Sequence, residues 1–484
     1  MFDYGYLAPA MFVGLIAIML FGFPVAFSLG ALGLIFSVIA IETGYFTMAF
    51  LQAMPARVFS IMSNDLLLAI PFFTFMGVVL ERSRLAEDLL ESTGQLFGPV
   101  PGGLAYAVIF VGAILGAITG TVAASVIAMG LISLPMMLKY GYDVRIATGV
   151  IAASGTITQL IPPSLVLVVL ADQMGISVGD LYLGALGPSI LQVALFCLFI
   201  LAVSILRPKL VPPLPKEART LSGWPLIKMA LWGIIPSLGL IFLVLGTIFM
   251  GLATPTEAGA MGAVGAMALA AVNKRLTKTV LWEAMDSTMR ITAMVIFILI
   301  GASIFGLVFH GVEGSNWIKA ILKALPGGQT GFLIFTQIFV FFVAFFLDFF
   351  EIAFIIVPLL TPVAKSLDIN LVWFGVLLCI NLQTSFMHPP FGFALFYLRG
   401  IAPPEVKSSD IYWGAIPWIG LQLALVAVVI AWPQSVTYWL GGGVQLDAGQ
   451  VQQQLDNLSV PSIGGPAGMP GAPSFDMPPP PSFR

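Results

Sequence analysis

The chain has 484 residues, of which 59% are hydrophobic and 9% are charged, and its mean hydropathy is +1.03. This number of ionisable side chains is too small to cover the surface of a water-soluble globule of this length. The composition therefore predicts an integral membrane protein in a lipid bilayer. The 20 basic and 23 acidic residues give a net charge of −3, which excludes the basic surface of a nucleic-acid-binding protein. The two cysteines, Cys197 and Cys379, are too few for a disulfide framework or a four-ligand zinc site.

Apolar stretches follow one another along most of the chain and predict an all-α polytopic membrane protein, because a spanning helix needs about 20 apolar residues. The predicted spans are residues 7–22, 24–41, 66–80, 146–170, 183–206, 229–250, 256–272, 291–309, 370–396 and 411–433. Two stretches that mix acids, bases and apolar residues, 81–91 and 277–290, are either interfacial helices or ordinary loop helices.

Two further stretches are almost free of charge and too long for one crossing. Residues 92–138 contain no charged side chain, and residues 324–364 contain only Asp348 and Glu351, near the middle. We expect each to form a re-entrant helical hairpin, at about 100–138 and about 331–364, whose tip is buried in protein or lines an aqueous cavity. The alternative is a pair of ordinary spans with a short loop.

An internal repeat at an offset of 225 to 230 residues divides the chain into matched halves. Its strongest block aligns residues 180–192 with 410–422 without a gap, and Pro162-Pro163 matches Pro389-Pro390. Each half holds about five transmembrane helices and one hairpin, so the second half is inverted, as in secondary transporters. The predicted domains are a first repeat at 1–206, a base-rich cytoplasmic linker at 207–228, a second repeat at 229–440 and a disordered tail at 441–484 rich in Pro, Gly and Gln.

Four intramembrane breaks, two in each repeat, are the candidate binding regions, because polar groups are costly in hydrocarbon. The candidate ion- and substrate-binding residues at these breaks are Thr119, Gly120, Thr121, Gly155, Thr156, Thr158, Gln159, Asp348, Glu351, Asn381, Thr384, Ser385 and His388. Glycine, proline and hydroxyl residues supply neutral oxygens that suit a hard cation. The predicted Na⁺ ligands are Thr119, Gly120, Gly155, Asp348 and Thr384. The alternative for the small residues is helix packing. For Asp348 and Glu351 three roles are considered: binding a cation, carrying a proton, or capping the backbone at the hairpin tip.

Several short motifs together resemble one known family. They are Ala69-Ile70-Pro71-Phe72-Phe73, Gly116-Ala117-Ile118-Thr119-Gly120-Thr121, Ile161-Pro162-Pro163-Ser164, Thr254-Pro255-Thr256-Glu257-Ala258 and His388-Pro389-Pro390-Phe391-Gly392. Over residues 1 to 435 the chain resembles the large membrane subunit of TRAP transporters, the tripartite ATP-independent periplasmic transporters. Residues 381–400 look like the mannitol/chloroaromatic branch, some of whose relatives handle 2-oxo acids.

The resemblance implies an elevator-type, Na⁺-coupled importer of organic acids in the bacterial inner membrane. Its partners would be a small TRAP membrane subunit and a periplasmic substrate-binding protein. His388 stands where the family usually has Thr, and Asp348 and Glu351 replace a glycine-rich turn, so coupling to H⁺ instead of Na⁺ stays open. A stand-alone cation/carboxylate carrier is a further alternative. The chain lacks the His-Glu-x-x-His motif that would favour an intramembrane metalloenzyme.

Overall fold

The computed structural model describes residues 6–83, 85–219, 223–390 and 392–440, and the regular elements in these ranges are all helices. The side chains of residues 20, 85–88 and 119 lie outside this description, as does the tail predicted to be disordered at 441–484.

The first four helices precede the first hairpin. They are α1 (Leu7–Leu20), α2 (Val25–Glu42), α3 (Ala53–Met62) and α4 (Ala69–Arg82). Helices α3 and α4 form one bent segment with a 44° break. Asn64 stabilises this break, because its side chain accepts from Leu66 N–H at 3.0 Å and donates to Asp172 at 2.8 Å. The predicted span at 66–80 is therefore the second part of a longer, bent element.

The next six helices contain the first hairpin and the first broken helix. They are α5 (Leu85–Phe97), α6 (Gly103–Thr119), α7 (Val122–Lys139), α8 (Val144–Thr156), α9 (Leu165–Met174) and α10 (Val178–Leu206). Helices α6 and α7 are the two arms of the hairpin predicted at 100–138. The expected span at 146–170 is two short helices, because residues 157–164 include a 3-10 turn and the cis Pro162-Pro163 bond. Ser164 caps α9 by accepting from Val166 N–H at 3.2 Å.

The middle of the chain forms α11 (Trp224–Ile241), α12 (Thr247–Phe249), α13 (Pro255–Val272) and α14 (Lys278–Gly311). Helix α14 has 34 residues and continues through both the predicted loop helix at 277–290 and the predicted span at 291–309. The expectation of a separate interfacial helix there is wrong. Charged residues at its start are accommodated by ion pairs, Arg290 with Asp286 at 2.8 Å and Glu283 with Arg82 at 3.3 Å.

The last eight helices contain the second predicted hairpin and the second broken helix. They are α15 (Gly314–Lys323), α16 (Gly328–Val343), α17 (Phe349–Glu351), α18 (Val357–Ser366), α19 (Leu371–Leu382), α20 (Phe393–Ile401), α21 (Ser408–Ala431) and α22 (Gln434–Thr437). A π-helical turn at Ile352–Ile356 joins α17 to α18. The expected span at 370–396 is broken after α19 by a 3-10 turn and the cis Pro389-Pro390 bond, as in the first half.

Three pairs of helices pack extensively against each other. Helix α14 lies against α2, α13 against α4, and α21 against α8. By length and composition, eight described helices could cross a membrane, or up to ten if each of two bent pairs counts as one span. The chain is therefore an all-α polytopic membrane protein.

Residues 210 and 211 of the linker predicted at 207–228 lie against the base of the first hairpin. Gly102 N–H donates to Val211 O at 2.9 Å, and Asp143 N–H donates to Leu210 O at 2.9 Å. Val211 is fully buried. The linker also ends earlier than predicted, because α11 begins at Trp224. This segment is thus a docked connection that ties two parts of the first repeat together.

Candidate ion- and substrate-binding site

The first hairpin turns at Gly120, between the last residue of α6 and the start of α7. Gly120 has φ +62°, a left-handed conformation that strains any residue with a Cβ. Its N–H donates to Gly116 O at 3.2 Å, and Thr121 is extended before α7. The predicted tip is therefore the observed turn, although the side chain of Thr119 lies outside the described part of the structure.

Glycines bring this hairpin directly onto the broken helix of the same repeat. A Cβ placed on Gly116 would lie 2.8 Å from the Cα of Thr158. A Cβ placed on Gly155 would lie 2.2 Å from Cγ2 of Val126 in α7. Interiors are close-packed, so no side chain larger than hydrogen fits at either position without displacing its neighbour. The first hairpin and the first break are thus in direct contact at these two glycines.

The first break is fully buried and rich in neutral oxygens. Thr156 donates its hydroxyl to Ala153 O at 2.8 Å, and Thr158 donates to Gly155 O at 2.9 Å. The Thr158 hydroxyl keeps both acceptor lone pairs, whereas the Thr156 hydroxyl also accepts from Gln422 Nε2 at 3.0 Å and keeps one. The side-chain oxygen of Gln159 is buried and has no hydrogen-bond partner among the described residues. Because buried polar atoms are normally paired, this oxygen is a free acceptor for a ligand.

The second break has the same character and is tied to the second hairpin. Asn381 donates from Nδ2 to the carbonyl oxygen of Gln337 in α16 at 2.7 Å and to its side-chain oxygen at 2.9 Å. Thr384 donates to Asn381 O at 2.7 Å, and Ser385 donates to Leu382 O at 2.7 Å. The predicted residues of this break therefore lie together, again with acceptor lone pairs left over.

Asp348 and Glu351 cap the short helix at the tip of the second hairpin. Asp348 Oδ1 accepts from Glu351 N–H at 2.8 Å, and Glu351 Oε2 accepts from Asp348 N–H at 2.8 Å. This reciprocal pair is a capping box, so the structural role considered for these carboxylates is present. Each carboxylate has two oxygens, and the capping bonds use one of them.

The two carboxylates also line two cavities, which leaves them accessible. A cavity of about 460 Å³ separates the tip from Ser385, Phe393 and Phe396. A second, of about 700 Å³, separates the tip from the connection between α1 and α2 and from α14. The tip is therefore both capped and open to a small ligand. The smaller cavity is also lined by Ser385 of the second break.

His388 occupies an aromatic pocket at the start of the second Pro-Pro turn. Its ring stacks on Phe345 with centroids 4.0 Å apart and meets the edge of Phe341 at 4.5 Å. Only 1% of His388 is exposed. The ring therefore joins the second break to the hairpin arm by packing.

Three glutamines connect the two breaks, and the sequence reasoning did not select them. Gln192 in α10 donates to the side-chain oxygen of Gln383 at 2.6 Å, and Gln383 donates back at 3.2 Å. Gln422 in α21 donates to the hydroxyl of Thr156 at 3.0 Å. A signal was available, because Gln192 and Gln422 end the best-matched block of the internal repeat.

The five predicted Na⁺ ligands fall into two groups, one in each repeat. Gly120 and Gly155 belong to the first tip and break, as does the backbone of Thr119, whereas Asp348 and Thr384 belong to the second. Within the described ranges, no group of three or more His, Cys, Asp or Glu could hold a metal ion.

These paired breaks and hairpins define a multi-pass α-helical membrane transport subunit. Residues 12–435 match the family described as "Tripartite ATP-independent periplasmic transporter, DctM component". The chain belongs to this family, which confirms the predicted large TRAP membrane subunit. Its relatives are transporter permeases, so the chain is a transporter and not an enzyme.

Curated relatives match along most of their length. The chain is 28% identical to the C4-dicarboxylate TRAP transporter large permease protein DctM of Vibrio cholerae serotype O1, over 89% of this chain and 96% of that protein. It is 28% identical to the Rhodobacter capsulatus protein of the same name, over 86% and 94%. It is 26% identical to the 2,3-diketo-L-gulonate TRAP transporter large permease protein YiaN of Escherichia coli K12, over 76% and 85%. The mannitol/chloroaromatic branch stays a prediction.

Proposed function

We propose that this chain is the translocating subunit of a binding-protein-dependent secondary transporter in the bacterial inner membrane, and that it imports organic acids with Na⁺ by an elevator movement. The observation that carries the proposal is the pairing of two buried breaks, of which the first packs against the tip region of its hairpin and the second is hydrogen-bonded to an arm of its hairpin. Broken helices of this kind bind ions and substrates in secondary transporters.

Both breaks offer oxygens to a cation and a helix N-terminus to an anion. Thr156 and Thr158 lie in the first break, and Thr384 and Ser385 lie in the second. The N-terminus of α9 begins at the first break, and its N–H groups carry partial positive charge suited to a carboxylate. A Na⁺ ion in each break would add positive charge beside the substrate, so cation and acid would bind more tightly together.

The names of relatives support the substrate class and the partners. They include permeases for C4-dicarboxylate, 2,3-diketo-L-gulonate, sialic acid and isethionate, which are all organic acids. The isethionate relative is named DctMQ, and this chain covers 58% of it. We therefore propose that a small membrane subunit and a periplasmic substrate-binding protein are partners of this chain.

The test is uptake of labelled organic acids by proteoliposomes that contain the full chain and the small subunit. Uptake is measured with and without the binding protein, and with and without an inward Na⁺ gradient at constant ionic strength and pH. We expect uptake only when both are present. Undiminished uptake without the binding protein would establish a stand-alone carrier, and undiminished uptake without the Na⁺ gradient would refute Na⁺ coupling.

Proton coupling is the second candidate, because two carboxylates lie at the second tip. Asp348 and Glu351 both line the cavities there, and each could carry a proton between the two sides of the membrane. The same proteoliposomes decide this point. Accumulation driven by a pH gradient in Na⁺-free buffer would favour the proton, and its absence would favour Na⁺.

A further inference from the structure

We propose that Gln192, Gln383 and Gln422 are positioning residues that hold the two breaks in one fixed relation, so that a cation in one break sets the geometry of the other. This inference rests on the proposed function, because it concerns the same two breaks. The glutamines are not offered as ligands, and they act through the residues that they hold.

The three amides are joined by hydrogen bonds, and the side-chain oxygen of Gln422 has no partner among the described residues. Gln192 and Gln383 exchange both of their N–H···O bonds, and the oxygen of Gln383 also accepts from Gln422 at 3.4 Å. Gln422 donates further to the hydroxyl of Thr156, which itself donates to Ala153 O. A chain of hydrogen bonds therefore runs from the first break to the second.

The bonds cross between the two repeats. Gln192 belongs to the first repeat and contacts Gln383, which lies in the break of the second. Gln422 belongs to the second repeat and contacts Thr156, which lies in the break of the first. Thr156 and Gln383 stand at equivalent positions before the Pro-Pro turns, and Gln192 and Gln422 stand at equivalent positions in the long helices. Each repeat thus contributes one glutamine that contacts the break of the other repeat.

Burial makes this arrangement hard to change. Gln192, Gln383, Gln422 and Thr156 each have 0% of their surface exposed. Water cannot replace a lost partner at these positions, so an amide that moved away would remain unpaired. A shift of one break must therefore be accompanied by a shift of the other break.

The held residues stand beside the proposed cation ligands. Thr156 follows Gly155 directly and is close to Thr158 in the same break, and Gln383 directly precedes Thr384. Met387, next to His388, also lies within the cluster, because its sulfur accepts from Thr156 at 3.6 Å. Loss of one amide would therefore displace ligand oxygens in the opposite repeat.

The experiment measures Na⁺ binding by the purified full chain in detergent, through the rise of its thermal unfolding midpoint with Na⁺ at constant ionic strength. The variants are Gln192→Leu and Gln422→Leu. The matched control is Gln329→Leu, which makes the same chemical change at an exposed residue that donates one bond to Leu367 O at 2.7 Å. If the leucine variants do not fold, Gln192→Asn and Gln422→Asn keep an amide but shorten it.

We expect wild-type chain and control to bind Na⁺ with a Hill coefficient above one. Each glutamine variant should raise the half-saturating Na⁺ concentration about tenfold and lower the Hill coefficient to about one, which a loss of stability alone would not do. Folded leucine or asparagine variants with wild-type values for both would overturn the positioning role and leave the proposed function standing. A wild-type chain with no response to Na⁺ would overturn both.

Discussion

Replacing Gly155 by alanine tests whether the first hairpin and the first break work as one packed unit. The new Cβ would lie 2.2 Å from Cγ2 of Val126, whereas ordinary contacts begin at 3.4 Å. Helix α7 must therefore withdraw from the break by up to about 1.2 Å, and overpacking of this kind costs roughly 1–3 kcal/mol. We expect a lower unfolding midpoint and at least a tenfold loss of Na⁺-dependent uptake.

Val126→Ala supplies the internal check, because it removes the methyl group that the new Cβ would strike. This substitution alone deletes about two methyl groups' worth of burial, on the order of 1.6 kcal/mol. In the double variant Gly155→Ala/Val126→Ala the two losses should not add, because the clash is gone. Gly239→Ala is the control, since a Cβ placed on Gly239 would have no other atom within 4 Å. Wild-type uptake in Gly155→Ala, or additive losses in the double variant, would refute the reasoning.

Three single substitutions test the second tip, the first tip and an exposed ion pair. Asp348→Asn keeps a side chain that caps helices as well as aspartate does, so the free energy of unfolding should change by less than about 0.5 kcal/mol. Cation-dependent uptake should be lost, and retained uptake would show that the carboxylate only caps the helix. Gly120→Ala should lower the free energy of unfolding by about 1–2 kcal/mol because of the positive φ, as measured by denaturant titration; an unchanged value would contradict a left-handed tip. Arg145→Gln should change stability by less than about 1 kcal/mol and leave uptake intact, because its 3.2 Å ion pair with Asp410 is exposed; a large loss would show that the pair matters.

The parts of the fold that depend on local composition could be predicted from the sequence. A stretch without charge and with a glycine in its middle specified the first hairpin, and the turn lies at Gly120 as expected. The Pro-Pro pairs likewise located both broken helices. These signals are local, because hydrophobicity and glycine or proline geometry act on neighbouring residues.

The length of α14 was not predictable in this way. Its first turns carry Glu283, Asp286 and Arg290, which suggested a boundary between a polar loop and a span. In the structure Arg290 pairs with Asp286 one turn away, and Glu283 pairs with Arg82 on α4. The charged residues therefore did not mark an end of the helix.

The glutamine cluster could not be found from spacing, because its bonds join residues far apart in the sequence. Gln192 and Gln383 are separated by 191 residues, and Gln422 and Thr156 by 266. The internal repeat identified two equivalent glutamines, but their partners depend on how the repeats pack. Only the three-dimensional structure shows that each faces the opposite break.

The most direct test of the central claim is the steady-state accumulation of an organic acid by reconstituted transporter as the Na⁺ concentration ratio is varied. Chain, small subunit and binding protein are all present, and pH and membrane potential are held constant. The account predicts that accumulation rises with the Na⁺ ratio and disappears when an ionophore abolishes the gradient. Accumulation that is independent of the Na⁺ concentration ratio would contradict the account.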